Sequence, residues 1–186
     1  MQNAPSLVKA RRSSERGLTL VELMASVAIV GLLAMVGSVS VKKYIASSKT
    51  SEAIRMIGSI KAAQETMKDE TYAYLNVSSG INDFYPNNPK PGRQKMNFPG
   101  TVGDGRAKWD MLGIHEDAPV LFVYACTAGL AGEKAEPGTG ITVKNWPGTM
   151  DRPWYVVKAK ADVDGDGADT VYLAASFAGE IFSANE

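Results

Sequence analysis

The chain has 186 residues, with 20 Lys+Arg against 20 Asp+Glu and 45% hydrophobic residues. That is long enough for one globular domain with an appendage, too apolar for disorder, and without a global charge that would drive it onto nucleic acid or acidic lipid. One Cys and one His exclude an intrachain disulfide framework, a Cys-based zinc site and a His cluster.

Apolar residues concentrate near the start. Residues 18–41 read LTLVELMASVAIVGLLAMVGSVSV, with Glu22 as the single charge. A helix of that length spans roughly 36 Å, enough to cross a hydrocarbon layer of about 30 Å. Lys9, Arg11, Arg12 and Arg16 precede it against Glu15, and Lys42 and Lys43 follow. The basic leader is expected to hold the N-terminus on the cytoplasmic side and send the C-terminus outward. A secretory signal has a shorter apolar stretch than this, and a plain anchor gives no reason for Glu22. A charge inside a membrane helix costs about 2.5–3.5 kcal/mol even on the gentler insertion scales.

The stretch Arg16-Gly17-Leu18-Thr19-Leu20-Val21-Glu22-Leu23 resembles the processing site of type IV pilins and the related pseudopilins. The resemblance covers residues 1 to about 50 and departs from the usual pattern at Leu18, where phenylalanine is customary. It implies a cut between Gly17 and Leu18 by prepilin peptidase, methylation of the new N-terminus, and Glu22 as the fifth mature residue. It further implies an assembly role for Glu22, whose carboxylate would meet the freed amine of a neighbouring subunit. Such a pair in a low-dielectric setting sets axial register more than it adds raw stability.

Helical character continues past the apolar half. Ile54, Ile57, Ile60, Ala63 and Met67 recur at three- and four-residue steps and predict an amphipathic stripe packed on a head. A helix over residues 18–75 would be roughly 87 Å long. The expected division is a leader at 1–17, an apolar transmembrane and assembly helix at 18–41, an amphipathic half at 42–75 and a β-rich head at 76–186.

Residues 76–116 are rich in Asn, Pro and Gly and read as mainly irregular. Between positions 90 and 108, Lys90, Arg93, Lys95, Arg106 and Lys108 face only Asp104, with Phe98 and Trp109 nearby. A solvated loop with aromatic anchors is the favoured reading. Nucleic-acid contact is the weaker one, because the charges are dispersed and the chain is neutral. Strands are expected at 120–126, 154–160 and 170–177, with a brief one at 141–143. The fold class is therefore α+β, with a long N-terminal helix packed on a small antiparallel sheet. Cys126 is expected in the core, and His115 on the surface.

Between the last two long strands, Asp162, Asp164, Asp166 and Asp169 alternate with Val163, Gly165 and Gly167. The spacing resembles the opening of an EF-hand loop and makes these four aspartates candidate calcium ligands. The position that should hold the closing glutamate is Leu173, and a plain hairpin loop is the competing reading. No phosphate loop, nucleophile elbow or Ser/His/Asp arrangement appears, so no enzyme is expected. What the resemblance implies is a structural subunit of a type IV pilus-like filament. Its partners would be copies of itself, related pilins, prepilin peptidase and an inner-membrane assembly platform. It would sit in the inner membrane with a periplasmic head before entering the filament. A pseudopilin of a type II secretion system is the alternative, favoured by the lone cysteine and the aspartate loop.

Overall fold

The computed structural model describes residues 17–98 and 105–185. Residues 1–16 of the basic leader, and Asp104, lie outside them. The fold is α+β, and the chain divides into two units, residues 1–42 and 43–186, each taken by itself below. Helix α1 (Leu20–Thr71) contributes to both.

In the first unit, α1 carries the apolar residues of the sequence on every side. Leu20, Val21, Leu23, Met24, Val27, Ile29, Val30, Leu32 and Leu33 are all exposed. The stretch Leu20–Ser38 is long and apolar enough to cross a membrane, and none of it is buried within the chain.

The second unit has a layered core. A four-stranded antiparallel sheet has the order β3 (Val123–Gly129), β4 (Trp154–Ala161), β5 (Thr170–Ala175) and β6 (Phe182–Ala184). Val157 of β4 faces Cys126 on one neighbour and Ala174 on the other. Tyr124, Cys126, Tyr155, Val157, Ala159 and Tyr172 line one side of the sheet, in a cluster with Ala53, Met56, Ile57 and Ile60 of α1. Alternation puts Ala125, Trp154, Val156, Val171 and Leu173 on the other side. There they cluster with Ile81, Ala135 and Ile141, with Phe84, Val143 and Trp146 packed at the margin. Both faces of the sheet are covered, which is why every residue of β5 is buried.

The stripe on α1 is rotated from the one read in the sequence. Ile57 and Ile60 are buried, Ala63 and Met67 pack against the core, but Ile54 is exposed and Ala53, Met56 and Gln64 are buried instead. Glu52 and Arg55 help to fix this orientation. The amides of Leu121 and Phe122 donate to Glu52 Oε1 at 2.7 and 3.3 Å, and Arg55 binds Glu116 through two nitrogens at 2.7 and 2.8 Å.

The helix stops at Thr71, short of the expected Leu75. Tyr72 adopts a left-handed conformation (φ 61°) that closes the last turn, and its amide donates to the Lys68 carbonyl. The chain then turns back along its own helix. The Leu75 amide donates to Gln64 Oε1 at 2.9 Å, and Gln64 Nε2 donates to the Leu75 carbonyl at 2.8 Å. Leu75 therefore has partners outside any helix.

Residues 76–116 are more ordered than expected. They hold β1 (Met96–Phe98), which pairs with β2 (Glu116–Val120), and helix α2 (Arg106–Met111). Phe98 and Trp109 are buried and meet edge to face, with ring centroids 5.3 Å apart; Phe98 also meets the rings of Tyr85 and Tyr124. These are the anchors the loop was expected to carry. Further along, the expected strand at 120–126 is split. Val120 ends β2, and Leu121 and Phe122 give their amides to Glu52 rather than to a neighbouring strand. The brief strand expected at 141–143 does not form. Ile141 is instead a plug on the sheet's far side, and β6 lies beyond the last expected strand.

Candidate functional site

Leu18 is 75% exposed, and Gly17 beside it is also exposed. Immediately after them α1 begins with a reciprocal cap. The Thr19 amide and hydroxyl both donate to Glu22 Oε2, at 3.0 and 2.9 Å, and the Glu22 amide donates back to Thr19 Oγ1 at 3.2 Å. Thr19 thus stands at the N-cap and Glu22 at the third helical position, the spacing of a capping box. The cap satisfies amides that the first turn leaves without intrahelical partners. No hydrogen bond reaches Glu22 Oε1 among the described residues, so one carboxylate oxygen is left to accept. A negative charge in the first turn also suits the positive end of the helix dipole. The Thr-x-x-Glu signal was present in the sequence beside the motif that drew attention to Glu22.

Residues 12–38 match the family model described as a prokaryotic N-terminal methylation motif. The chain carries the type IV pilin and pseudopilin signature. No curated protein and no solved structure matches the chain. The methylation motif thus takes in Gly17, Leu18, the Thr19–Glu22 cap and the apolar stretch as far as Ser38, and it supports a pilin-like or pseudopilin precursor. The exposed apolar stretch fits a membrane anchor.

The aspartate loop lies between β4 and β5. Asp162, Asp164 and Asp166 can each bring one carboxylate oxygen within 4.8 Å of the others. Asp169 does not join them and pairs instead with Lys160, whose Nζ lies 2.9 Å from its Oδ2. The three grouped carboxylates already have internal partners. Asp162 Oδ1 accepts from the Gly165 amide at 2.7 Å, Asp164 Oδ1 from Asp166 at 3.3 Å, and Asp166 Oδ1 from Ala168 at 2.7 Å. Each is a turn closed by a side chain, the habit that places Asp in loops.

A cation from elsewhere in the chain also reaches the loop. Arg93 Nε donates to Asp162 Oδ2 at 2.8 Å, and its terminal nitrogen donates to the Gly165 carbonyl at 2.6 Å. Burial opposes ionisation of Asp162, but the bonds from Arg93 and the Gly165 amide outweigh it and hold the carboxyl below its ordinary range. Gly92 makes this approach feasible. It sits at φ +87°, and a Cβ there would lie 2.1 Å from the Asp162 carbonyl oxygen. The loop therefore offers calcium three carboxylates of the six to eight oxygens it wants, with one of them shared with a guanidinium.

His115 is exposed, with Nδ1 3.8 Å from Asp110 Oδ1. Cys126 is buried, and Gln64 Nε2 donates to its sulfur at 3.1 Å. Burial pushes the thiol up to about 12, which leaves it protonated and unreactive at neutral pH.

Proposed function

We propose that the protein is a structural subunit of a type IV pilus-like filament. In this reading it waits in the inner membrane with the head in the periplasm. Prepilin peptidase cuts between Gly17 and Leu18, and an inner-membrane platform passes the mature chain into a polymer of itself and related pilins. The observation that carries the reading is the join of a processing motif to an apolar span with no burial of its own and a single acidic group. Apolar surface of that extent needs lipid or other helices around it. Copies of the same helix would supply the second environment after the first is left.

Within the precursor, Thr19 occupies only Oε2 of Glu22. The other oxygen is available for an amine on a neighbouring Leu18, so docking need not first break the cap. An α-amine keeps its positive charge near neutral pH whether or not it is methylated. Replacement of Glu22 tests the role. Glu22→Ala is expected to be processed normally while filament yield falls at least tenfold in sheared fractions. Wild-type yield from the processed variant would remove Glu22 from assembly.

Two observations favour a second reading, a pseudopilin of a type II secretion system: the single buried cysteine and the aspartate loop. A processed protein confined to the envelope fraction, with loss of exported proteins on deletion, would select that reading over a surface fibre. In either case we propose Asp162, Asp164 and Asp166 as calcium ligands, with Asp169 retained by Lys160.

A further inference from the structure

We propose that the cavity on the side of the sheet facing away from α1 is a binding site for a carboxylate group. The cavity measures about 270 Å³ and is lined by Phe84, Thr139, Lys158, Lys160, Asp169 and Asn185, among others. It lies wholly within the second unit and does not depend on the filament reading.

Strand periodicity places Lys158 and Lys160 on the same face of β4, two residues apart. Lys158 is only 1% exposed, an unusual place for an ammonium group. Its Nζ donates to Asn82 Oδ1 at 2.8 Å and to the Thr139 carbonyl, both neutral acceptors. An ammonium has three N–H donors, so one is left over. No carboxylate lies within 4 Å of it among the described residues; Lys160 takes Asp169 for itself. The ring of Phe84 lies 5.7 Å from Lys158 Nζ and 5.1 Å from Lys160 Nζ, which softens the charge of both without neutralising either.

The arrangement is built with some care. Gly138 takes φ +73°, and a Cβ on it would stand 2.7 Å from Asn82 Oδ1 and 2.8 Å from Lys158 Nζ. The 138–139 turn therefore closes tightly over the ammonium. A lysine needed only to fill space would be better replaced by an apolar residue, since a buried charge without a counter-charge is costly.

Charge decides the ligand class. Two ammonium groups and one carboxylate leave the cavity with one excess positive charge. A monoanionic carboxylate would complete it. A dianionic phosphate would leave excess negative charge beside Asp169. The carboxylate could belong to a small free acid or to a glutamate or aspartate side chain of another polypeptide.

The test uses the full chain in detergent micelles at pH 7, with thermal unfolding and amide chemical shifts in sodium acetate against sodium chloride at equal ionic strength. At ten times the dissociation constant a single site raises the melting temperature by about 3–5 °C. Acetate is expected to produce that rise, to move the Thr139 and Gly140 amides, and to lose both effects in Lys158→Met. Lys160→Gln, at a partly exposed position, is expected to weaken binding severalfold and carries the comparison if Lys158→Met does not fold. A capped glutamate, blocked at both ends, separates the sources: binding of acetate alone assigns a free acid, and binding of both admits a polypeptide side chain. The proposal is overturned if acetate and chloride act alike. It is also overturned if the acetate response is undiminished in the folded lysine variants, or if phosphate replaces acetate as the effective anion.

Discussion

Gln64 acts toward Leu75 as a strand partner would, with one amide side chain serving both backbone groups. It is fully buried, so its removal strands a donor and an acceptor with little access to water. Gln64→Ala is expected to cost about 2–4 kcal/mol, read as a fall in the urea unfolding midpoint. Lys158 makes a prediction of opposite character. Burial, and then Lys160, push its ammonium down to about 8, below the lysine's usual range near 10.5. Between those two values the unfolded chain binds more protons than the folded one, so this group's contribution to stability rises with pH. Below pH 8 both states are protonated and the full cost of burying the charge is present. The stability of the wild type relative to Lys158→Met is therefore expected to rise from pH 8 to pH 10.5, measured by urea unfolding across that range. A flat difference would contradict a buried, charged lysine.

Legibility in the sequence followed the range of each interaction. The apolar span and the inner strands at 154–161 and 170–175 are written in contiguous residues, and pattern alone located them; the processing motif is equally local but was legible through its resemblance to type IV pilins and pseudopilins. The exposure of Ile54 is different. It depends on Glu52 and Arg55 gripping residues more than sixty positions away. The outer layer on the sheet was not legible, because residues 130–150 bury isolated side chains such as Ala135 and Ile141 without forming a strand. The aspartate loop was half legible. Its alternation is local, but its resident cation comes from Arg93, 69 residues before Asp162. That guanidinium bears on the proposed calcium site, since it shares Asp162. Calcium is expected to raise the melting temperature of the wild type, and chelator to reverse the rise. Asp164→Asn with Asp166→Asn is expected to abolish the response, and no shift on adding calcium would remove the metal from the loop.

Across the whole chain, two kinds of surface carry different work. The 20–38 stretch is apolar on every side and has no partner of its own, whereas the head buries its apolar residues on both faces of a sheet. Glu22 caps the first turn of the apolar helix, and the methylation motif spans both that cap and the apolar stretch. The filament account ties the two together through a new amino group next to the Thr19–Glu22 cap. Mass spectrometry of the N-terminal peptide from sheared surface filaments tests this link most directly. The account predicts a mature chain that starts at Leu18 with a methylated amine. A chain in those filaments that retains residues 1–17, or begins downstream of Glu22, would contradict it.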